Sequence, residues 1–343
     1  MSGIKSQGRA HNVSVKNKMQ EYLEYWGLTD PAFQSAPNID NLFIPLSWRS
    51  RLDRVLLFAE QSPSLIAVTS QSGHCKSTMA HWFYQNIDPQ SHEVLLLSLF
   101  QEEYEAGWLV PKLCRFLGLK NTGVNASLEE LSDNIENITL EGRTLTIIID
   151  EAHKLKSPKA MSEIHTLISM QSLIQFGVNF ILIGNEQLED TIEQTPEFQN
   201  RLSLSCRLEA LDSNEIMKYL SHQLALKNID SKIILPDAME LIEEHTGGIF
   251  SRINALLENS LIEAFLRKEK TINSQIVDQA VEFLPGQKSR RQTPKAPKRT
   301  QTPRSEPKHR PQEKVKPARR KKEPSTAKAV DISSLFYKTD KKQ

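Results

Sequence analysis

The chain has 343 residues, 38% of them hydrophobic and 25% charged, with a formal net charge of +1. It has no apolar run of the ~18 residues that a membrane span needs, and its first ten residues lack the apolar segment of a signal peptide. Its cysteines, Cys75, Cys114 and Cys206, are odd in number and match no metal-cluster spacing, which argues against a disulfide framework and points to a reducing, cytoplasmic setting.

The small net charge conceals a strong asymmetry. Between Lys288 and Gln343 lie 19 Lys/Arg and 5 Asp/Glu, a balance of +14, so the remainder carries −13. An acidic body with a basic arm is expected to seek polyanions.

In chain order, residues 1–19 are polar and read as a mobile arm. Met19–Ile44 mixes Tyr22, Tyr25, Trp26, Phe33 and Phe43 with prolines, and is predicted to pack as short pieces on the next domain. Leu52–Gln61 has helical spacing. Apolar runs then alternate with amphipathic stretches. Strands are predicted at Ser64–Thr69, Glu93–Leu99, Thr144–Ile149, Asn179–Ile183 and Leu202–Leu208. Helices are predicted at Lys76–Asn86, Gly107–Leu117, Ser127–Asn137 and Ala160–Phe176. Such alternation implies a parallel sheet covered on both faces.

After Leu211 the pattern is all-helical. Asp212 and Glu215 form a capping-box signature. Helices follow at Asn214–Lys227, Asp237–Thr246, Ser251–Arg267 and Asn273–Phe283. The expected organisation is an arm at 1–19, an α/β core at 20–210, a helical lid at 211–285 and a basic, proline-rich tail at 286–343. The tail has too few apolar residues to offset its ordering entropy. Its last apolar patch (Val330, Ile332, Leu335, Phe336, Tyr337) is a candidate docking segment.

The chemistry centres on Ser70–Thr78, SQSGHCKST, between a predicted strand and a predicted helix. A phosphate loop reads G-x-x-x-x-G-K-[ST]. Backbone N–H groups and the helix N-terminus cradle phosphates there. Ser70, Gln71, Ser72, Gly73, His74, Cys75, Lys76, Ser77 and Thr78 are the candidate nucleotide-binding residues. Lys76 takes the lysine position and Ser77 the magnesium-ligand position. Ser70 and Cys75 stand where the signature has glycine, and a Cβ at 75 crowds the phosphate.

The second motif is Thr144–Ile149 running into Asp150-Glu151-Ala152-His153, an apolar strand ending in two acids. Asp150 is assigned to Mg²⁺, and Glu151 to the attacking water. Asn185 follows the fourth strand as a candidate γ-phosphate sensor. Arg201 precedes the fifth strand as a candidate finger onto a neighbouring subunit. Arg252 opens a lid helix as a candidate phosphate contact.

With these motifs in place, the chain resembles the ExeA/GspA-type AAA+ ATPases. The resemblance runs from Tyr22–Phe33 (YLEYWGLTDPAF) through HWFYQNI, IIIDEAHKL, LIGNEQLED, NRLSLSCRLEALDSNE and TGGIFSRIN, and covers Met19 to Leu284. It implies a RecA-like α/β core with a helical lid, ATP and Mg²⁺, and assembly into rings or filaments. The same module is similar to TnsC, TniB and MuB-type regulators of DNA transposition, which polymerise on DNA and act on a transposase.

Three readings follow. The first is a transposition regulator that oligomerises on non-specific duplex DNA and links a target selector to a transposase. The second is a secretion or envelope-assembly ATPase. The third is an ATP-binding scaffold that does not hydrolyse. Lys112, Arg115, Lys120, Lys154, Lys156 and Lys159 are the core residues expected to face DNA.

Overall fold

Short runs rich in Ile, Leu and Val bury both faces only in a parallel sheet covered on two sides. Five such runs build the sheet of this chain. The computed structural model describes residues 17–33, 39–61, 64–101, 104–120, 128–156, 158–170 and 177–285. Most of the expected arm, residues 171–176 of an expected helix, and the whole tail lie outside the described residues.

The strands are β1 (Leu65–Ser70), β2 (His92–Ser98), β3 (Thr144–Asp150), β4 (Val178–Gly184) and β5 (Leu202–Leu208). Each matches its predicted range to within one residue at either end. All pairings are parallel and the order is β2-β3-β4-β1-β5. Because side chains alternate along a strand, the sheet feeds two cores. Ile66, Val68, Ile148, Ile181 and Ile183 enter one. Leu65, Ala67, Ile147, Ile149, Phe180 and Leu182 enter the other.

Twelve α-helices accompany this sheet among the described residues. They are α1 (17–26), α2 (Leu46–Gln61), α3 (Lys76–Asn86), α4 (Val110–Phe116), α5 (Leu128–Leu140), α6 (Pro158–Met170), α7 (Glu186–Glu193), α8 (Pro196–Gln199), α9 (Ser213–Leu226), α10 (Pro236–Thr246), α11 (Phe250–Arg267) and α12 (Ser274–Val281). The face that takes α2 and α3 also takes α9–α12, so the lid shares its core with one side of the sheet. No helix among the described residues is long and apolar enough to cross a membrane.

Helices α7 and α8 are not among the predicted elements and α4 starts three residues later than expected, while three further differences have a visible cause. Residues 17–26 form a helix instead of short pieces. Tyr22 and Trp26 explain this, because they bond to Glu258 and to the Leu261 carbonyl of α11. Helix α2 begins six residues earlier than expected, since Trp48 is buried and its Nε1 donates to the Glu209 carbonyl at 2.9 Å. Finally, only half of the capping box forms. Asp212 accepts the Glu215 N–H at 2.8 Å, but the Glu215 carboxylate takes Ser47 N–H and Oγ–H instead, at 2.9 and 3.0 Å. It thereby clamps the first turn of α2 to the lid.

Candidate functional site

Strands β1, β4 and β3 are neighbours, with Thr69 opposite Gly184 and Leu182 opposite Ile149. Their C-terminal ends therefore form one rim. That rim carries the 70–75 loop, Asn185, and the Asp150–Glu151 pair, in that spatial order.

The loop has the turned backbone expected of a phosphate loop. Gly73 has φ +92° and Cys75 φ +52°, and α3 starts at Lys76. Left-handed residues here turn successive N–H groups toward an anion. Cys75 keeps a conformation that glycine adopts freely and an L-residue adopts at a cost of about 1–2 kcal/mol. Cys75→Gly is expected to leave stability unchanged or to raise it by about 0.5 kcal/mol, since unfolded-chain entropy offsets part of the relief. ATP affinity is expected to rise several-fold as the Cβ leaves. Urea denaturation and calorimetry check the pair of outcomes.

Ser70 ends β1 and is buried, and its Oγ has no hydrogen-bond partner; His74 is fully buried with neither ring nitrogen paired. The imidazole packs against Trp48 and Phe250, at 6.2 and 6.0 Å between ring centroids. Burial, aided by Lys76, pushes its pKa down to about 4. The unfolded chain thus binds this proton near pH 6.5 and the folded chain near pH 4, so stability falls as pH drops through that window. The expected loss is about 2–3 kcal/mol. Denaturation curves from pH 7 to pH 4 should show it, and His74→Phe should flatten it.

The lid closes directly on this loop. Ser251 N–H donates to the Gly73 carbonyl at 3.1 Å. A Cβ on residue 73 would lie 2.3 Å from Ser251 Oγ and 2.9 Å from Ile249 Cγ2, so only glycine admits this approach. Arg252 is exposed and stands one residue beyond that bond, in the first turn of α11. Lys76, Ser77 and Thr78 form the first turn of α3, and Gln71 and Ser72 are exposed in the loop.

On the other side, Asp150 is the buried last residue of β3, and its Oδ1 accepts the Glu151 N–H at 2.8 Å. Glu151 is left-handed, with φ 60° and ψ 32°. Its Oε2 lies 3.5 Å from His153 Nε2 and 3.9 Å from Lys154 Nζ. Burial lowers the His153 pKa, against the opposing pull of Glu151. Asn185 caps α7, its Oδ1 accepting from Gln187 N–H at 3.0 Å. This fixes the side chain through Oδ1 and leaves the donating role to Nδ2.

Arg201 is the one candidate that the fold does not bring to this rim. It is exposed ahead of β5, whose first residue pairs with Leu65 at the start of β1. The length of the strand separates it from the loop by about 20 Å.

One component escaped the sequence reading. A cleft of about 640 Å³ runs from Cys75 between the N-terminal segment and the lid, lined by Phe33, Phe43, Tyr219, Asn254 and Glu258 among others. Glu258 accepts from Tyr22 OH and Phe33 N–H, and Tyr219 OH donates to Asn254 at 2.6 Å. The signal for it was the set of aromatics in Met19–Ile44, which have too few apolar neighbours in their own segment.

These donors suit a magnesium–nucleotide complex. Ser77 and Asp150 offer the hard oxygen ligands that Mg²⁺ prefers. The loop offers turned amides and the unpaired Ser70 hydroxyl to phosphates, and the cleft beside Cys75 offers an apolar seat for a base.

A family model described as AAA domain matches residues 59–192. General secretion pathway protein A of Aeromonas hydrophila is 21% identical over 251 residues, covering 72% of this chain and 45% of that protein. The chain thus spans less than half of that relative's length. Among solved structures, Aeropyrum pernix ORC2 in ADPNP–ADP complexes aligns with a TM-score of 0.53 at 18% identity, over 73% of this chain and 70% of that one. Aeropyrum pernix ORC1 in complex with DNA aligns at 0.52 and 14%, over 69% and 65%. The sheet order, the flanking helices and these alignments establish an AAA+ P-loop α/β fold.

Proposed function

We propose that the AAA domain of this chain binds ATP with Mg²⁺ and hydrolyses it, as a switch that sets how the lid sits on the core. One observation carries this reading. The turned phosphate loop, the Asp150–Glu151 pair and Asn185 end three adjacent strands, beside a cleft with room for a base. When bound, Mg²⁺ would neutralise phosphate charge between Ser77 and Asp150. Lys76 binds the β- and γ-phosphates. Glu151 takes a proton from the attacking water, and Asn185 donates to the γ-phosphate through Nδ2. Arg252 reaches the phosphates from the lid, and Arg201 serves a neighbouring copy.

Titration calorimetry with Mg-ATP tests the reading. Lys76→Ala removes a charge-assisted contact and should weaken binding about 10–100-fold. Equal heats for the variant and the parent protein would overturn the assignment of the loop.

For the wider role, we infer a cytoplasmic regulator of DNA transposition that oligomerises on duplex DNA and links a target selector to a transposase. Its support is the charge of the tail, +14 against −13 for the rest of the chain. Binding through such a tail is non-specific and weakens steeply with salt. ATP-dependent, salt-sensitive assemblies on duplex DNA are the expected result, and DNA binding indifferent to nucleotide would count against it. A second reading, a secretion or envelope-assembly ATPase, is favoured by the likeness to general secretion pathway protein A. Association with envelope proteins in place of DNA would select it.

A further inference from the structure

Asn185, the residue assigned to the γ-phosphate, follows β4 and opens α7, so its place depends on how that helix is held. Three strand ends meet there at one level. Gly184 of β4 pairs with Thr69 of β1, and Thr69 pairs with Arg207 of β5. A Cβ on Gly184 would lie 2.9 Å from Leu188 Cβ and 3.2 Å from His153 N. The first turn of α7 thus folds closely over the end of its own strand, beside the turn that follows β3.

Glu189, one turn along α7 from Asn185, ties the helix to the other two strands. Its Oε1 accepts the Thr69 hydroxyl, and its Oε2 accepts Arg207 Nη1–H at 3.2 Å. The same guanidinium donates to Glu186 through Nη2 at 2.6 Å and lies 3.7 Å from Glu209. The two ties differ in weight. The Arg207 side chain is 44% exposed, and ion pairs held in water contribute little. Thr69 is 1% exposed, and a buried hydroxyl that loses its acceptor bears the full cost of its desolvation. Thr69 also immediately precedes Ser70, so this tie joins the helix that carries Asn185 to the strand end from which the phosphate loop departs.

We propose that Glu189 is a positioning residue for turnover. Through its bond to Thr69 it sets the distance from Asn185 to the phosphate loop, and Arg207 only keeps the carboxylate from swinging outward. This rests on the assignment of Asn185 to the γ-phosphate. A donor aimed at charge that develops in the transition state acts only when it is correctly placed, so loosening Glu189 affects the rate and spares the binding of nucleotide.

The test is phosphate release by the full chain at varied Mg-ATP, read as kcat and KM, for single variants and for Glu189→Ala combined with Asn185→Ala. Asn185→Ala is expected to lower kcat about 100-fold. Glu189→Ala should lower kcat about tenfold and leave KM within about twofold of the parent. Added to Asn185→Ala, it should lower kcat by less than about twofold more, because residues that act as a unit are not additive. Glu189→Gln keeps an acceptor for Thr69 and should recover most of the loss, and Arg207→Gln should lower kcat by about twofold at most. Parental turnover in Glu189→Ala overturns the proposal, as does a loss that falls on KM or one that multiplies in full with that of Asn185→Ala. So does a loss in Glu189→Gln or in Arg207→Gln as large as that in Glu189→Ala. If Asn185→Ala is slow and Glu189→Ala is not, the assignment of Asn185 stands and the proposal alone fails. Parental turnover in Asn185→Ala, or a parent chain that releases no phosphate, overturns both.

Discussion

Glu151→Gln is expected to lower ATP turnover by about 10²–10⁴-fold, the usual contribution of a positioned general base. Binding of Mg-ATP should be nearly unchanged. Glutamine keeps the length and shape of the side chain and one acceptor oxygen, and loses the negative charge and the ability to take a proton. On the proposed assignment, Asp150 would still meet the metal, and Lys76 and the loop would still hold the phosphates. Phosphate release and calorimetry on the same preparation separate the two effects. Equal loss of turnover and binding would mean that Glu151 is a ligand instead of a base. A parent chain that binds ATP without releasing phosphate would leave the non-hydrolysing scaffold as the better description.

The second large effect concerns the joint between core and lid. Gly248 has φ +72°, and its carbonyl accepts the Leu211 N–H at 3.1 Å. A Cβ there would stand 2.2 Å from the Leu211 carbonyl oxygen and 2.8 Å from its nitrogen, both backbone atoms that cannot swing aside. Gly248→Ala is thus expected to cost about 3 kcal/mol or more, combining left-handed strain with a lost hydrogen bond. It should also weaken ATP binding, because the same segment places Ser251 on Gly73. Gly247→Ala is the control. It too is left-handed, φ +57°, but nothing lies within 4 Å of its Cβ. It should cost about 1–2 kcal/mol from the backbone alone. Urea denaturation of both variants decides the matter, and equal losses would contradict the close approach.

The sequence made the sheet legible because its strands are continuous apolar runs, and burial on both faces leaves little else that such runs can do. Thr144–Asp150 shows this best, since its two closing acids mark both the end of the strand and the start of the site. Helix α7 was not legible. It buries only Leu188 and Ile192, one pair of residues, which is too short for a period to declare itself. The loop was legible as chemistry but not as geometry. Cys75 reads as a departure from the glycine pattern, whereas the fold retains the left-handed backbone and absorbs the strain.

The contacts of the loop with the lid were out of reach, because Gly73 and Ser251 lie far apart in the chain and meet only through tertiary packing. Glu215 was misread in part for the same reason. Its nearest sequence partner is Asp212, yet Ser47 offers two donors to a carboxylate that is already buried.

Arg201 and Lys76 stand at opposite ends of one sheet. On the proposed assembly, a copy that lends the guanidinium would do so from a different face than the one on which it receives its neighbour's. Such a contact is heterologous, so a stack of copies has direction, and its two termini are chemically unlike. In an open stack, one terminal member has no donor to complete its site. Turnover per copy would then climb with the length of the stack and level off as the share of completed junctions approaches unity.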